Sequence, residues 1–441
     1  MSPFFTRAVL LLGVLAGAPR ADVLTVGPAG SGAQFTEIQA AIDAARNDDV
    51  ILVRAGTYAS FQVEKPLRIL RDGAGTVSVS GRFRAALVRG IPAGEELVLS
   101  GLSMSAELPK VTVLAVERCP GTVLLHDLDL TGVDQVALGL EGTGRTVLLH
   151  SRVFGGVPGT GLLPETVESG AAIDVAVTEL WIADSEVRGM DGRSSWTMRG
   201  AHGIEARRSV VRVWKTRVFG GAGSVRSGTG TSALGGTGIL VAEGNLELLG
   251  GPGSEVRGGN GVYDPFLLVN HAGGPGVSLE ARYPGSAQGS TATIQATLPI
   301  QGGFDGLSRV QAPNVLVDAA SSFTLSSQVL PTLAPAAGRV APGSSVALLL
   351  TGNRGALQVL HASLRTGPIS RLRGVGGVGW LDPNGLSTLA SVILPGTGSS
   401  RLALMIPRRP ALLGSTLYLQ TVELFAGRYA IGNPALVVIT N

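Results

Sequence analysis

Five short segments share one pattern: a small residue or leucine, any residue, an aliphatic, any residue, then glycine. They are Leu128-Asp129-Leu130-Thr131-Gly132, Ser151-Arg152-Val153-Phe154-Gly155, Ser185-Glu186-Val187-Arg188-Gly189, Thr216-Arg217-Val218-Phe219-Gly220 and Ser254-Glu255-Val256-Arg257-Gly258. A second series falls between them, at Ala137-Leu138, Ala172-Ile173, Gly203-Ile204, Gly238-Ile239 and Gly276-Val277. From Leu130 to Val256 the aliphatics of the first series are 23, 34, 31 and 38 residues apart. Strict interleaving at uneven spacing is what successive sides of one coil produce when coils differ by insertions. One coil cannot bury its aliphatics alone, so stacked coils must supply a continuous core.

Composition narrows the alternatives. Of 441 residues, 64 are glycine, roughly twice the usual share. Interior glycine costs a helix about 1 kcal/mol each, which excludes a long helical bundle. The glycines have no three-residue period, which excludes collagen. An apolar content of 44% is too high for disorder, and the single cysteine, Cys119, cannot build a disulfide framework. What remains is an all-β chain in which glycine is expected at corners and loops. Basic and acidic residues number 35 and 32, and the longest basic runs are the pairs Arg207-Arg208 and Arg408-Arg409. A nucleic-acid partner would need concentrated positive charge, so none is expected.

Stacking brings equivalent positions about 4.8 Å apart. The column Asp129, Arg152, Glu186, Arg217, Glu255 then alternates in sign and reads as a register-setting ladder. Two positions on, Phe154, Arg188, Phe219 and Arg257 alternate in a way suited to cation–π contacts.

The chain opens with Arg7 and the apolar run Ala8–Ala18, ending Ala16-Gly17-Ala18. This reads as a secretory signal peptide over 1–21, too short to span a bilayer. No other stretch is long and apolar enough for a membrane span, so a secreted monomer is expected, extracellular, at the cell surface or in the periplasm. Helical periodicity follows at Phe35, Ile38, Ile42 and Ala45, with Thr36 and Gln39 spaced as a capping box. Asn47-Asp48-Asp49 reads as a turn before the strand Val50–Val53, and Ala55-Gly56-Thr57-Tyr58 as another turn.

Residues 35–70 resemble the N-terminal cap and first coil of right-handed parallel β-helix proteins of the pectin-lyase-like superfamily. The Phe-x-x-Ile-Gln-x-Ala-Ile helix, the Asp before the first strand and the Gly-Thr-Tyr turn carry the resemblance. It implies a capping helix and a right-handed β-helix over 22–328, and it is nearly silent on activity, since such caps occur in lyases, hydrolases, epimerases and proteins without known catalysis. Pro331, Pro335 and Pro342 mark a linker over 329–342. Beyond it, short strands at Ser345–Leu350, Ala356–Ser363, Ser387–Leu394, Arg401–Met405, Ser415–Val422 and Ala435–Ile439 predict a C-terminal β-sandwich over 343–441.

Insertions at Gly156–Gly170, Met190–Gly203, Gly221–Gly238 and Gly259–Gly276 all leave one corner and must gather on one side of the solenoid. They hold Arg193, Trp196, Arg199 and His202, then Tyr263, Asp264 and His271, a set suited to stacking on sugar rings and pairing with uronate carboxylates. Beside them Asp174 and Glu205 take equivalent outward positions on adjacent coils, at the separation that retaining glycosidases use. Asp174, Glu205 and His202 are therefore the acid–base candidates, with Arg199 and Arg207 placed to neutralise the two acids. A second column, Asp127, His150, Asp184 and Lys215, places an imidazole between carboxylates. Calcium-dependent lyases of the resembling group need a close acidic cluster that is missing here, so no metal or cofactor is expected. Polygalacturonases carry paired aspartates and a Gly-His-Gly segment; Gly200-Ala201-His202-Gly203 comes near, without the aspartates. Two readings follow: a secreted binder of polysaccharide or a cell-surface partner without catalysis, or a polysaccharide lyase or glycoside hydrolase.

Overall fold

The computed structural model describes residues 7–9, 21–108, 111–133, 136–157, 171–192, 200–224, 234–264, 269–281, 288–327, 330–364, 366–370, 375–376, 379–381, 386–409 and 412–440. Leu24–Ser326 forms one compact unit; Ser327–Asn441, with Met1–Val23, forms a second.

In the first unit the chain winds as a parallel β-helix with three strands per coil. Arg145–Leu149, Arg152–Val157 and Ile173–Ala176 are the first, second and third sides of one coil. Glu179–Ala183, Glu186–Arg188 and Ile204–Arg207 are those of the next. Coil meets coil in parallel register, Thr146 to Leu180, Arg152 to Glu186 and Ile173 to Ile204. First and second sides join in one 18-stranded sheet, and the third sides form a sheet of nine strands. Both sequence series lie in register along the stack, and their aliphatics enter one hydrophobic core. The side that neither series includes runs through Thr122–His126, Arg145–Leu149 and Glu179–Ala183.

Each position of the repeated pattern has a physical cause. The residue before it turns the corner in the left-handed region, at Asp127, His150, Asp184 and Lys215, with φ of 52°, 49°, 53° and 43°. The small first residue then supplies a stacked hydroxyl. Ser151 Oγ accepts from Leu128 N at 3.1 Å and donates to Leu149 O at 2.7 Å, and Ser185 Oγ accepts from Ser151 N at 3.1 Å. These hydroxyls satisfy amides that the corner would otherwise leave buried and unpaired. A second such ladder, Thr143, Thr178 and Ser209, follows the corner between third and first sides. Val177 holds that corner with φ 52° and is 51% exposed. A β-branched residue is strained there. Val177→Asn is expected to raise stability by about 1 kcal/mol in chemical denaturation, since asparagine tolerates this conformation.

The closing glycines and those of the insertions do more than turn. The insertions run out from the second side and back to the third, and neighbouring runs bond to each other. Ala201 N donates to Met190 O, Gly221 N to Ala201 O, Gly236 N to Gly221 O, Gly259 N to Gly236 O, Gly274 N to Gly259 O and Gly303 N to Gly274 O, each at 2.8 Å. Adjacent residues bond instead along the stack, Gly220 N to Arg257 O at 2.8 Å and Gly223 N to Asn260 O at 2.7 Å. Outgoing runs of adjacent coils are pressed together backbone to backbone, and so are the returning runs. A Cβ on Gly221 would lie 1.7 Å from Met190 O, and one on Gly236 would lie 2.0 Å from Ala201 O. The expectation that glycine serves turns is thus only partly met. A large share is fixed by close backbone contact, where any side chain would collide.

The helix spans Ile38–Ala44 and buries Ile38, Ala41 and Ile42 in the solenoid core. Its N-cap is Glu37 with no side-chain cap bond, so the capping box does not form. Gln39 instead accepts from Gln62 N at 2.7 Å and donates to Asp43 Oδ1 at 2.8 Å. Lys65 Nζ donates to the carbonyls of Ile42 and Ala45 at 2.9 and 2.8 Å and satisfies the helix C-terminus. Ala55–Tyr58 is no separate turn; it lies within the strand Val50–Ala59, whose register shifts between Arg54 and Gly56.

In the second unit, strands occur at Ser345–Thr351, Leu357–Ser363, Ser387–Ile393, Ser399–Met405, Thr416–Phe425 and Ala435–Ile439. Two sheets contribute inward residues to one cluster, among them Leu348 and Leu402 from one and Leu360 and Val437 from the other. The proline-rich stretch departs from its reading as a linker. Thr332–Pro335 pairs antiparallel with Ser345–Thr351, and Arg339–Val340 pairs parallel with Ala435–Ile439. Pro335 ends its strand, where its missing amide costs little. Of the segment read as a signal peptide, only Arg7–Val9 and residue 21 are described; Arg7–Val9 is a strand beside Ser399–Met405.

Candidate functional site

Asp174 and Glu205 are neighbours in register on adjacent third-side strands. Strand alternation that buries Ile173 and Ile204 turns both carboxylates outward. Two residues past Glu205, Arg207 emerges on the same face and reaches back over the pair. Its Nη2 donates to both oxygens of Asp174 at 2.7 and 2.8 Å, and Nη1 lies 3.8 Å from Glu205. Both oxygens of Asp174 are thus occupied by an intramolecular partner and not presented to a ligand. His202 lies on the returning run, where its Nδ1 accepts from Thr237 N at 3.0 Å. That bond places the proton of the neutral ring on Nε2 and gives His202 a role in holding the next coil.

Arg193, Trp196 and Arg199 lie outside the described residues. Tyr263 and Asp264 form a two-residue strand against Val269–Asn270. His271 is 8% exposed, with Nε2 buried and unpartnered, so it is shielded rather than presented to a ligand. The sequence-predicted binding residues therefore do not meet in one described groove.

A different group does. On the outgoing runs a cleft of about 300 Å³ is lined by Arg188, Asp191, Phe219, Arg257 and Asn260, with Gly258 and Gly259 among its backbone surfaces. Arg188, Phe219 and Arg257 occupy one register column on three successive coils. The cation–π contacts expected of that column are found elsewhere, with Arg82 over Phe83 at 5.6 Å and Arg212 over Trp181 at 5.0 Å. Arg188 pairs with Asp191 at 3.2 Å, and Asp191 also accepts from Ala222 N at 2.8 Å, which pins this wall. Among the described residues Arg257 has neither an ion pair nor a ring contact. The cleft so combines a guanidinium without an ion pair among the described residues, a phenyl ring and an amide above a floor of buried glycine backbone.

The second column is more tightly coupled than its sequence position suggests. His150 Nδ1 lies 3.2 Å from Asp184, Lys215 Nζ 2.9 Å from the other oxygen of Asp184, and Arg71 3.3 Å from Asp127. Burial raises the Asp127 carboxyl above its usual value, opposed by Arg71. Burial lowers His150, opposed by Asp184. Among the described residues no group of three or more His, Cys, Asp or Glu is placed to hold a metal ion.

No protein-family model matches the chain, and no curated protein does. Solved structures are similar to it at low identity. A rhamnogalacturonan lyase is 10% identical, with 69% of this chain and 87% of that one covered at a TM-score of 0.40. The enzymatically active domain of tailspike protein 2 of bacteriophage CBA120 is 11% identical, covering 91% and 73% at 0.32. A tailspike of Acinetobacter baumannii bacteriophage Fri1, a capsular polysaccharide depolymerase, is 8% identical, covering 96% and 84% at 0.24.

Proposed function

We propose that the protein is a secreted, right-handed β-helix that binds an acidic polysaccharide, free or at a cell surface, on its insertion-bearing face without cleaving it. The observation that carries this reading is the cleft in which Arg188 and Arg257 flank Phe219. Two coil steps separate the backbone positions of these arginines, about 10 Å. Carboxylates on a polyuronate can pair with arginine through two hydrogen bonds, while a sugar ring lies against the phenyl face. The glycine floor carries no side chains to obstruct a sugar chain, and its bonded backbone limits the ordering entropy on binding. The N-terminal helix is read as the cap of the first coil, and the second unit as a β-sandwich module. A second reading, cleavage by Asp174 and Glu205, rests on their adjacency; the grip of Arg207 on Asp174 weighs against it.

A glycan-array screen of the full chain, followed by reducing-sugar and unsaturated-product assays, tests both readings. Acidic glycans are expected to be retained without turnover. Arg257→Gln is expected to weaken retention about tenfold, the size of one charge-assisted contact, and Glu205→Gln to leave it unchanged. Turnover that Glu205→Gln abolishes would overturn the non-catalytic reading.

A further inference from the structure

His126 ends the strand Thr122–His126 and has no solvent exposure. Its Nδ1 lies 2.9 Å from Ser100 Oγ, its register partner on the preceding coil. Its Nε2 is buried with no hydrogen-bond partner. The groups facing it are Arg71 and the ring of His150, which meets it edge-on with centroids 5.7 Å apart. Neither is an anion.

The two imidazoles are therefore not equivalent. A proton on His150 would gain Asp184 and Asp127 and would meet Lys215. A proton on His126 would be buried between Arg71, whose partner is Asp127, and a second imidazole, and among the described residues no carboxylate pairs with the His126 ring itself. We propose that His126 is an acid-sensitive release point of the coil stack. Protonation forces its ring out to water, breaks the contact with Ser100 and loosens the coils that meet at this corner.

The sign follows from proton linkage. Burial holds His126 well below the ordinary imidazole value, and His150 and Arg71 push it the same way. The unfolded chain thus takes up the proton first as pH falls through about 6.5. The stability is complete above that pH and is lost progressively below it, until the pH passes the folded value.

Thermal unfolding of the full chain at pH about 7.5 and about 5 reads the effect, using His126→Asn, whose amide can still meet Ser100 and does not titrate. The midpoint of the native chain is expected to fall by several degrees more than that of the variant. Equal falls would overturn the proposal. His361 is also held low by burial, so His361→Asn serves as the control and is expected to leave the difference in place. Should His126→Asn fail to fold, a ring-carbon NMR titration of the native chain decides. His126 is expected to stay neutral until unfolding begins, and titration at the ordinary imidazole value in the folded protein would overturn the proposal.

Discussion

Gly221→Ala is expected to destabilise the solenoid by about 3 kcal/mol or more, measured by chemical denaturation. One methyl group has this effect because of what faces it. The new Cβ would lie 1.7 Å from Met190 O and 2.3 Å from its carbonyl carbon. Backbone cannot swing aside as a side chain can, so the outgoing runs of two adjacent coils must separate. Separation would strain two bonds at once, since Gly221 N donates to Ala201 O and Gly221 O accepts from Gly236 N. Gly396 has open space around its would-be Cβ and no left-handed conformation, so Gly396→Ala is the control, expected within about 0.5 kcal/mol of the native chain. An equal loss at both positions would mean that close backbone contact is not what requires glycine at Gly221.

That contrast bears on how far the fold was legible in the sequence. The two series were readable because a hydroxyl, a core aliphatic and a contact glycine recur at fixed offsets, and each offset answers to one constraint of the coil. The first side was not readable by that pattern. Its strands alternate core residues such as Leu180 and Ile182 with a varied second row containing Trp181 and Ala183, and no glycine recurs at a fixed offset to close them. The adjacency of Asp174 and Glu205 could be inferred from Ile173 and Ile204, and so could the presence of Arg207 nearby. What offsets alone do not give is direction. Nothing in Gly200-Ala201-His202-Gly203 indicates that the imidazole turns to the amide of Thr237. The cleft at Arg257 escaped for a related reason. Arg188, Phe219 and Arg257 stood out as a ladder, and a ladder of mutual contacts would have consumed the groups that the fold leaves open.

The sign-alternating ladder seen in the sequence and the ion pairs hidden from it should differ sharply when tested. Arg212 is expected to be worth about 3–5 kcal/mol on replacement by alanine. Its side chain is 9% exposed, it pairs with Glu179 of the preceding coil, and its Nε lies 3.2 Å from Glu247 of the next. Its guanidinium also covers Trp181 at 5.0 Å. Removing it takes a buried cation away from two shielded carboxylates, Glu179, which Arg145 also approaches at 3.7 Å, and Glu247. Arg212→Lys is expected to recover only part of the loss, because one ammonium cannot bridge two coils as a planar fork does. Arg152 offers the comparison. It pairs with Asp129 in the visible ladder, yet its side chain is 62% exposed, so Arg152→Ala should cost at most about 1 kcal/mol. Denaturation at low and high salt separates the two, since screening weakens the exposed pair and leaves the shielded one nearly intact. If Arg152→Ala proved as costly as Arg212→Ala, the exposed ladder would be what fixes coil register. Otherwise register is held mainly by the pairs that folding shields from water.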